Sequence, residues 1–189
     1  CKEVGVNLVF ETDVSDDQEI ATKYNADLVI ASDGLNSKVR TRYADTFKPD
    51  IDVRDCRFVW LGTEKTFDAF TFAFVETEHG WFQAHAYQFE PGMSTFIIET
   101  LDETWKAHGI DKMSQEEGIA FCEKLFAPWL DGNKLISNAG HLRGAAIWIQ
   151  FPRVICDTWV HYQPLSGGRK VPVVLMGDAA HTAHFSIGS

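Results

Sequence analysis

Apolar and polar positions divide the chain into three stretches. In the first, residues 4–11 predict a strand, and 26–32, Ala-Asp-Leu-Val-Ile-Ala-Ser, form a near-continuous apolar run of strand length. Such a run suits a strand covered on both faces, as in a parallel sheet. Asp33-Gly34 ends it, and Asn36-Ser37 offers a cap for a short helix over 38–43. In the middle stretch, runs at 57–61, 69–77, 81–89 and 94–101 alternate between apolar and polar residues. Breaks at Gly62-Thr63, His79-Gly80 and Pro91-Gly92 predict an antiparallel meander. Helices are predicted over 103–107 and 115–125, the second opened by Ser114 with Glu117 three residues on, a capping box. After a turn at 131–133, strands are predicted near 140–150 and 154–162. In the last stretch, Gly167-Gly168 makes a loop before the apolar strand 171–176, which delivers Gly177-Asp178.

The first and last stretches each hold one or two strands, too few for a sheet of their own, so they must meet in space. The expected class is α/β, with an α+β mix. Residues 1–48 and 163–189 supply parts of a parallel, Rossmann-like layer, and residues 49–162 supply an antiparallel sheet with helices.

Composition narrows the function. With 189 residues, 45% of them hydrophobic, the chain has material for one domain or a large part of one. Fourteen Phe and six Trp can line an apolar ligand cavity or fill a core. A net charge of −10 argues against a nucleic-acid partner. No apolar run is long enough to predict a membrane span. Cys1, Cys56, Cys122 and Cys156 are scattered, without metal-ligand spacing, and predict a reduced, cytoplasmic protein.

Two elements carry candidate chemistry. In the first, residues 26–40, Asp33 follows a buried strand, Gly34 permits a tight turn, and a helix start and Arg40 lie within reach. A bland turn is the alternative reading. In the second, residues 171–189, a strand again delivers Gly177-Asp178, and small residues follow that let a flat ligand lie against backbone. Ser186 and Gly188 suit a turn into a further helix, whose positive end could face an anionic group. His181 and His184 are three residues apart, but no third ligand is in register, so no metal site is predicted.

Together these elements resemble the FAD-dependent aromatic hydroxylases, the group of para-hydroxybenzoate hydroxylase. In particular they resemble its salicylyl-CoA 5-hydroxylase and 2-aminobenzoyl-CoA monooxygenase branch. Residues 58–63, 67–72, 76–87 and 181–189 carry that further likeness, which spans essentially the whole chain. The Gly-x-Gly-x-x-Gly turn expected at the start of that family is absent, as is a helix after Ser189. The chain is therefore expected to be an internal piece of a longer enzyme.

The resemblance implies FAD as cofactor, with NAD(P)H as co-substrate, and hydroxylation of an aromatic ring through a C4a-hydroperoxyflavin. An aryl-CoA is the implied substrate, with an indole or a small free phenolic acid as the alternative. A non-catalytic α/β binding module is the alternative from another class. Asp178 would bond the ribityl chain, with Gly177 giving the backbone room. Asp33 and Gly34 would lie near the pyrophosphate with Arg40 supporting them, unless Arg40 makes only a surface ion pair. Phe185, Ser186, Ile187 and Gly188 would border the isoalloxazine. On the 81–89 strand, Trp81, Gln83, His85, Tyr87 and Phe89 share a face that mixes rings with polar tips. His85 and Tyr87 are its candidates for ring contact or phenol deprotonation; sheet packing is the alternative. Phe70, Phe72 and Phe74 share a strand face and are read as core.

Overall fold

A computed structural model describes residues 2–14, 17–137 and 148–183. They form two compact units: the residues up to Asp52 with Arg153–Ala183, and Val53–Pro152. Phe185, Ser186, Ile187 and Gly188 lie outside the described residues, as does most of the strand expected near 140–150.

In the first unit, β1 (Val29–Ala31), β9 (Lys170–Leu175) and β8 (Val160–Pro164) form a sheet in the order β1-β9-β8. β1 and β9 run parallel, Val29 opposite Val173 and Ala31 opposite Leu175, so the two ends of the chain do meet. Ala31 and Leu175 face a core with Phe47, Val154, Cys156, Ala179 and Ala180. The helices α1 (Asp17–Lys23), α2 (Lys38–Arg42) and α3 (Ala44–Phe47) accompany this sheet. Burial of 26–32 on both faces is not observed. Among the described residues β1 pairs only with β9, and Leu28 and Ile30 of the run are half exposed. The strand expected over residues 4–11 does not form: Lys2–Val4 make a short 3-10 turn, and no described strand offers the rest a ladder; Val4, Val6, Val9 and Phe10 are exposed.

A buried carboxylate ties the helices of this unit. Asp17 is 2% exposed, accepts a 2.7 Å bond from the Tyr43 hydroxyl and pairs with Arg42. A carboxylate that deep needs such partners to offset its lost hydration. Burial first, then Asp17, push the Tyr43 phenol up to about 12.

The second unit is built on a sheet ordered β3-β4-β5-β2-β6, from β3 (Thr71–Thr77), β4 (Gly80–Glu90), β5 (Met93–Leu101), β2 (Pro49–Thr63) and β6 (Leu135–Ser137). Strands β3, β4 and β5 form the predicted hairpins. The remaining strand of the expected meander, β2, does not pair with β3. It lies beyond β5, with Trp60 opposite Ile97, because the segment between Thr63 and Thr71 returns across the sheet rather than turning tightly. Strand β6 is too short to give a sequence signal.

One face of this sheet packs under α4 (Asp102–Ala107), α5 (Gln115–Leu125) and α6 (Ala127–Leu130). Val59, Leu61, Ala73, Phe82, Ala84, Ala86, Phe96 and Ile98 meet Ile110, Cys122, Phe126 and Leu130 there. The capping box forms as expected: the Glu117 N–H donates to Ser114 Oγ at 3.2 Å, and the Ser114 N–H donates to the Glu117 carboxylate at 2.7 Å. The region predicted as one strand over 154–162 is two, β7 (Ile149–Cys156) and β8, broken at Asp157-Thr158. Phe70, Phe72 and Phe74 are not core. They are 49%, 49% and 54% exposed, because Ala73 and Val75 take the side of β3 that meets the helices.

The start of α4 abuts the β3–β4 turn. Thr104 Oγ1 donates to the His79 carbonyl at 3.0 Å, and Gly80 sits beside it at φ +130°. A Cβ on Gly80 would lie 2.4 Å from Thr104 Oγ1. Gly80→Ala is therefore expected to lower the unfolding free energy by about 2 kcal/mol or more in urea denaturation of the intact protein. A change below about 0.5 kcal/mol would contradict this packing.

Candidate functional site

In the first unit the two sequence elements come together at the adjacent ends of β1 and β9, and Arg40 joins them. Its side chain is buried at 4% exposure. One guanidinium nitrogen donates to the Ala179 carbonyl at 2.9 Å and the Asp178 carbonyl at 3.3 Å; the other donates to the Leu35 carbonyl at 2.5 Å. The surface ion pair is thus excluded. The planar guanidinium spans both loops with a fixed fork of donors, which a lysine could not match. α2 brings Arg40 there because the buried Ser37 caps the helix, its Oγ accepting the Arg40 N–H at 2.9 Å.

Asp33 is engaged by the same helix. Its carboxylate accepts the Lys38 N–H at 2.8 Å and the Val39 N–H at 3.3 Å. It fixes the turn through Gly34 and occupies donors at the start of α2. Asp178 is placed differently, exposed at the tip of β9. Gly177 beside it takes φ +62°, and a Cβ there would meet nothing within 4 Å. A recess of about 400 Å³ lies next to it, walled by Leu28, Ile30, Trp159, Met176 and Ala180 among others. An exposed carboxylate, an open glycine and an apolar wall suit a ligand with hydroxyls and a flat ring, so the residues present fit the ribityl end of a flavin.

In the second unit, the sheet face turned away from the helices is aromatic. Phe70 stacks on Tyr87 at 5.3 Å and on His85 at 5.8 Å between ring centroids, and Phe72 approaches His85 at 6.0 Å. His85 is 1% exposed, sunk beneath these rings, while Tyr87 is half-buried. Trp60, Phe74 and Trp81 add further exposed rings. The structure thus brings His85 and Tyr87 together on one aromatic face, as their alternation predicts.

Sequence reading did not single out Glu99. It lies on the same face, opposite Gln83, and is 4% exposed. Gln83 Nε2 donates to its Oε2 at 2.5 Å, and the Cys56 thiol approaches its Oε1 at 3.8 Å. The available signal was a lone acidic position in the otherwise apolar run 96–98 and 101, easily read as a solvated edge. These three residues, with Phe74, Trp81, Thr100 and Leu101, line a recess of about 460 Å³. Burial first, then Glu99, push the Cys56 thiol up to about 11.

Two outcomes are expected. Arg40→Met leaves three carbonyls without their donor and should cost about 3 kcal/mol of stability in denaturant unfolding; a loss under about 1 kcal/mol would show that the clamp is not needed. Iodoacetamide labelling of Cys56 should be slow at pH 8 and rise about tenfold per pH unit, because only the thiolate reacts. The rise should level off near pH 11. A plateau below pH 9 would refute the burial of this thiol beside Glu99.

No protein-family model matches the chain. Curated relatives do. Salicyloyl-CoA 5-hydroxylase of a Streptomyces species is 37% identical over 98% of this chain and 34% of its own length. Protodeoxyviolaceinate monooxygenase of Chromobacterium violaceum is 30% identical over 100% of this chain and 46% of its own length. The chain thus spans less than half the length of either relative. Among solved structures, a variant of 2-methyl-3-hydroxypyridine-5-carboxylic acid oxygenase superposes with a TM-score of 0.56 at 19% identity, over 86% of this chain and 40% of that one. The resemblance to aromatic hydroxylases read from the sequence is borne out: along nearly its whole length the chain is similar in sequence to part of salicyloyl-CoA 5-hydroxylase and related monooxygenases, and it has the α/β fold of the matching part of the pyridine-carboxylate oxygenase.

Proposed function

We propose that the protein carrying this chain is a flavin-dependent monooxygenase that hydroxylates an aromatic acyl thioester, such as salicylyl-CoA or 2-aminobenzoyl-CoA, using NAD(P)H and oxygen. The observation that carries this reading is the joining of the Asp33 and Gly177-Asp178 loops by one buried arginine at neighbouring strand tips. The relative named for salicyloyl-CoA supports the thioester over a free acid.

Bound FAD supplies the redox and oxygen chemistry; the chain supplies position and environment. Asp178 would accept hydrogen bonds from ribityl hydroxyls, and Gly177 lets that chain approach the backbone without meeting a side chain. Arg40 acts at a distance by holding the Asp178 and Ala179 carbonyls, which fixes the direction of the loop. Asp33 and Gly34 shape the other loop, on the pyrophosphate side. The aromatic face of the second unit would receive the substrate ring, where His85 and Tyr87 are the groups able to accept or pass a phenolic proton. The surrounding Phe70 and Phe72 rings exclude water from His85. A large exposed aromatic face, with Trp60, Phe70, Phe72, Phe74 and Trp81 about half exposed, favours a ligand or partner there.

The intact protein should purify with FAD, and salicylyl-CoA or 2-aminobenzoyl-CoA should stimulate its NAD(P)H oxidation. Asp178→Ala should weaken FAD binding about tenfold, the effect of one lost hydrogen bond to a charged group. A protein that is colourless, that cannot be reconstituted with FAD and that ignores aryl thioesters would refute the reading and favour the binding-module alternative.

A further inference from the structure

The Glu99–Gln83 pair occupies a position that a sheet would ordinarily fill with apolar side chains. On the same face its neighbours are Phe74, opposite Gln83 on β3, and Phe58, opposite Glu99 on β2. Burying a carboxylate among rings is costly unless it is bonded, and Gln83 supplies that bond at 2.5 Å. The bond has a second consequence. A side-chain amide has two ends, and beside a carboxylate only the N–H end is tolerated. Glu99 therefore sets the Gln83 amide with its nitrogen inward and leaves its carbonyl oxygen at the other end. Gln83 is half-buried and, with Glu99, lines the recess of about 460 Å³ bounded by Phe74 and Trp81.

We infer that Gln83, held in one orientation by Glu99, is a specificity-determining acceptor for a hydroxyl or amino substituent on an aromatic ring seated in the recess beside Phe74 and Trp81. Glu99 is the positioning residue. The rings supply apolar and stacking contact, and the fixed carbonyl selects a ligand that donates. The carboxylate beneath disfavours an anionic substituent at the same spot, so the ring is taken up with its O–H or N–H neutral. A site with an oriented acceptor discriminates against a ligand that cannot donate, because the acceptor is then left unpaired. The inference rests on the aromatic-hydroxylase reading only for the class of ligand.

The probes are 4-hydroxybenzamide and 4-methoxybenzamide, neutral rings that differ in one donor, titrated into the intact protein by calorimetry and by Trp fluorescence. Wild-type protein should bind the phenol about tenfold more tightly than the ether, the effect of one hydrogen bond. The fluorescence response should vanish in Trp81→Phe. Gln83→Leu should remove the preference while leaving ether binding within about twofold. Glu99→Gln, which lets the neighbouring amide turn over, should bring the preference towards unity with both probes still bound. Retained circular dichroism checks that each variant is folded. Equal binding of the two probes by wild-type protein, binding of neither, or a response unchanged in Trp81→Phe would each overturn the inference. Flavin content and thioester-stimulated NAD(P)H oxidation are read on the same sample. A yellow, active protein without discrimination fails this inference alone. A colourless, inactive protein that discriminates fails the hydroxylase reading alone.

Discussion

A buried guanidinium is the constraint on which the candidate cofactor site depends. Arg40 is out of water, and its bonds to carbonyls of Leu35, Asp178 and Ala179 offset the lost hydration. Those carbonyls belong to segments more than 130 residues apart in sequence, as the Arg40–Asp178 separation of 138 residues records. The parallel pairing of β1 with β9 brings the strand ends level, but it does not fix the loops that follow. The arginine does. Its demand for several acceptors in one plane is met only when both loops adopt this geometry, and that geometry leaves the Asp178 carboxylate outward.

The second unit solves a different problem with one sheet. Its inner face is conventional, with Phe82, Ala84, Ala86 and Ile98 under helices. Its outer face carries rings of the kind that usually fill a core. Two ionisable side chains sunk among them, His85 and Glu99, are each less exposed than 5%. A sheet gains nothing in stability from placing a carboxylate there rather than a leucine. That mismatch between burial and polarity is what a ligand site looks like before its ligand is considered.

Much of this was legible in the sequence, for identifiable reasons. Gly-Asp and Asp-Gly after apolar runs marked the strand tips, and Ser114 with Glu117 marked a helix start, because turn and cap chemistry is local. The alternation of 81–89 placed His85 and Tyr87 on one face correctly. What failed depended on distant partners. Residues 4–11 have strand-like composition but no described ladder to join. β2 could not be placed beyond β5 from turn spacing. Composition alone turns Phe70, Phe72 and Phe74 inward, because large rings are usually buried, whereas the small Ala73 holds the inward position. The resemblance places Arg40 as a support beside Asp33 and Gly34, but its partners are not readable, since they are backbone carbonyls that carry no sequence signature. Glu99 was missed because its significance lies in Gln83, sixteen positions away in the chain and directly opposite in the sheet.

The most direct measurement of the central claim is a crystal structure of the intact protein with FAD. The ribityl hydroxyls should lie within hydrogen-bonding distance of the Asp178 carboxylate, at the end of β9, with Arg40 still bonded to the carbonyls of Leu35 and Ala179. A flavin bound away from the β1 and β9 tips, or an Asp178 carboxylate turned from it, would contradict the account.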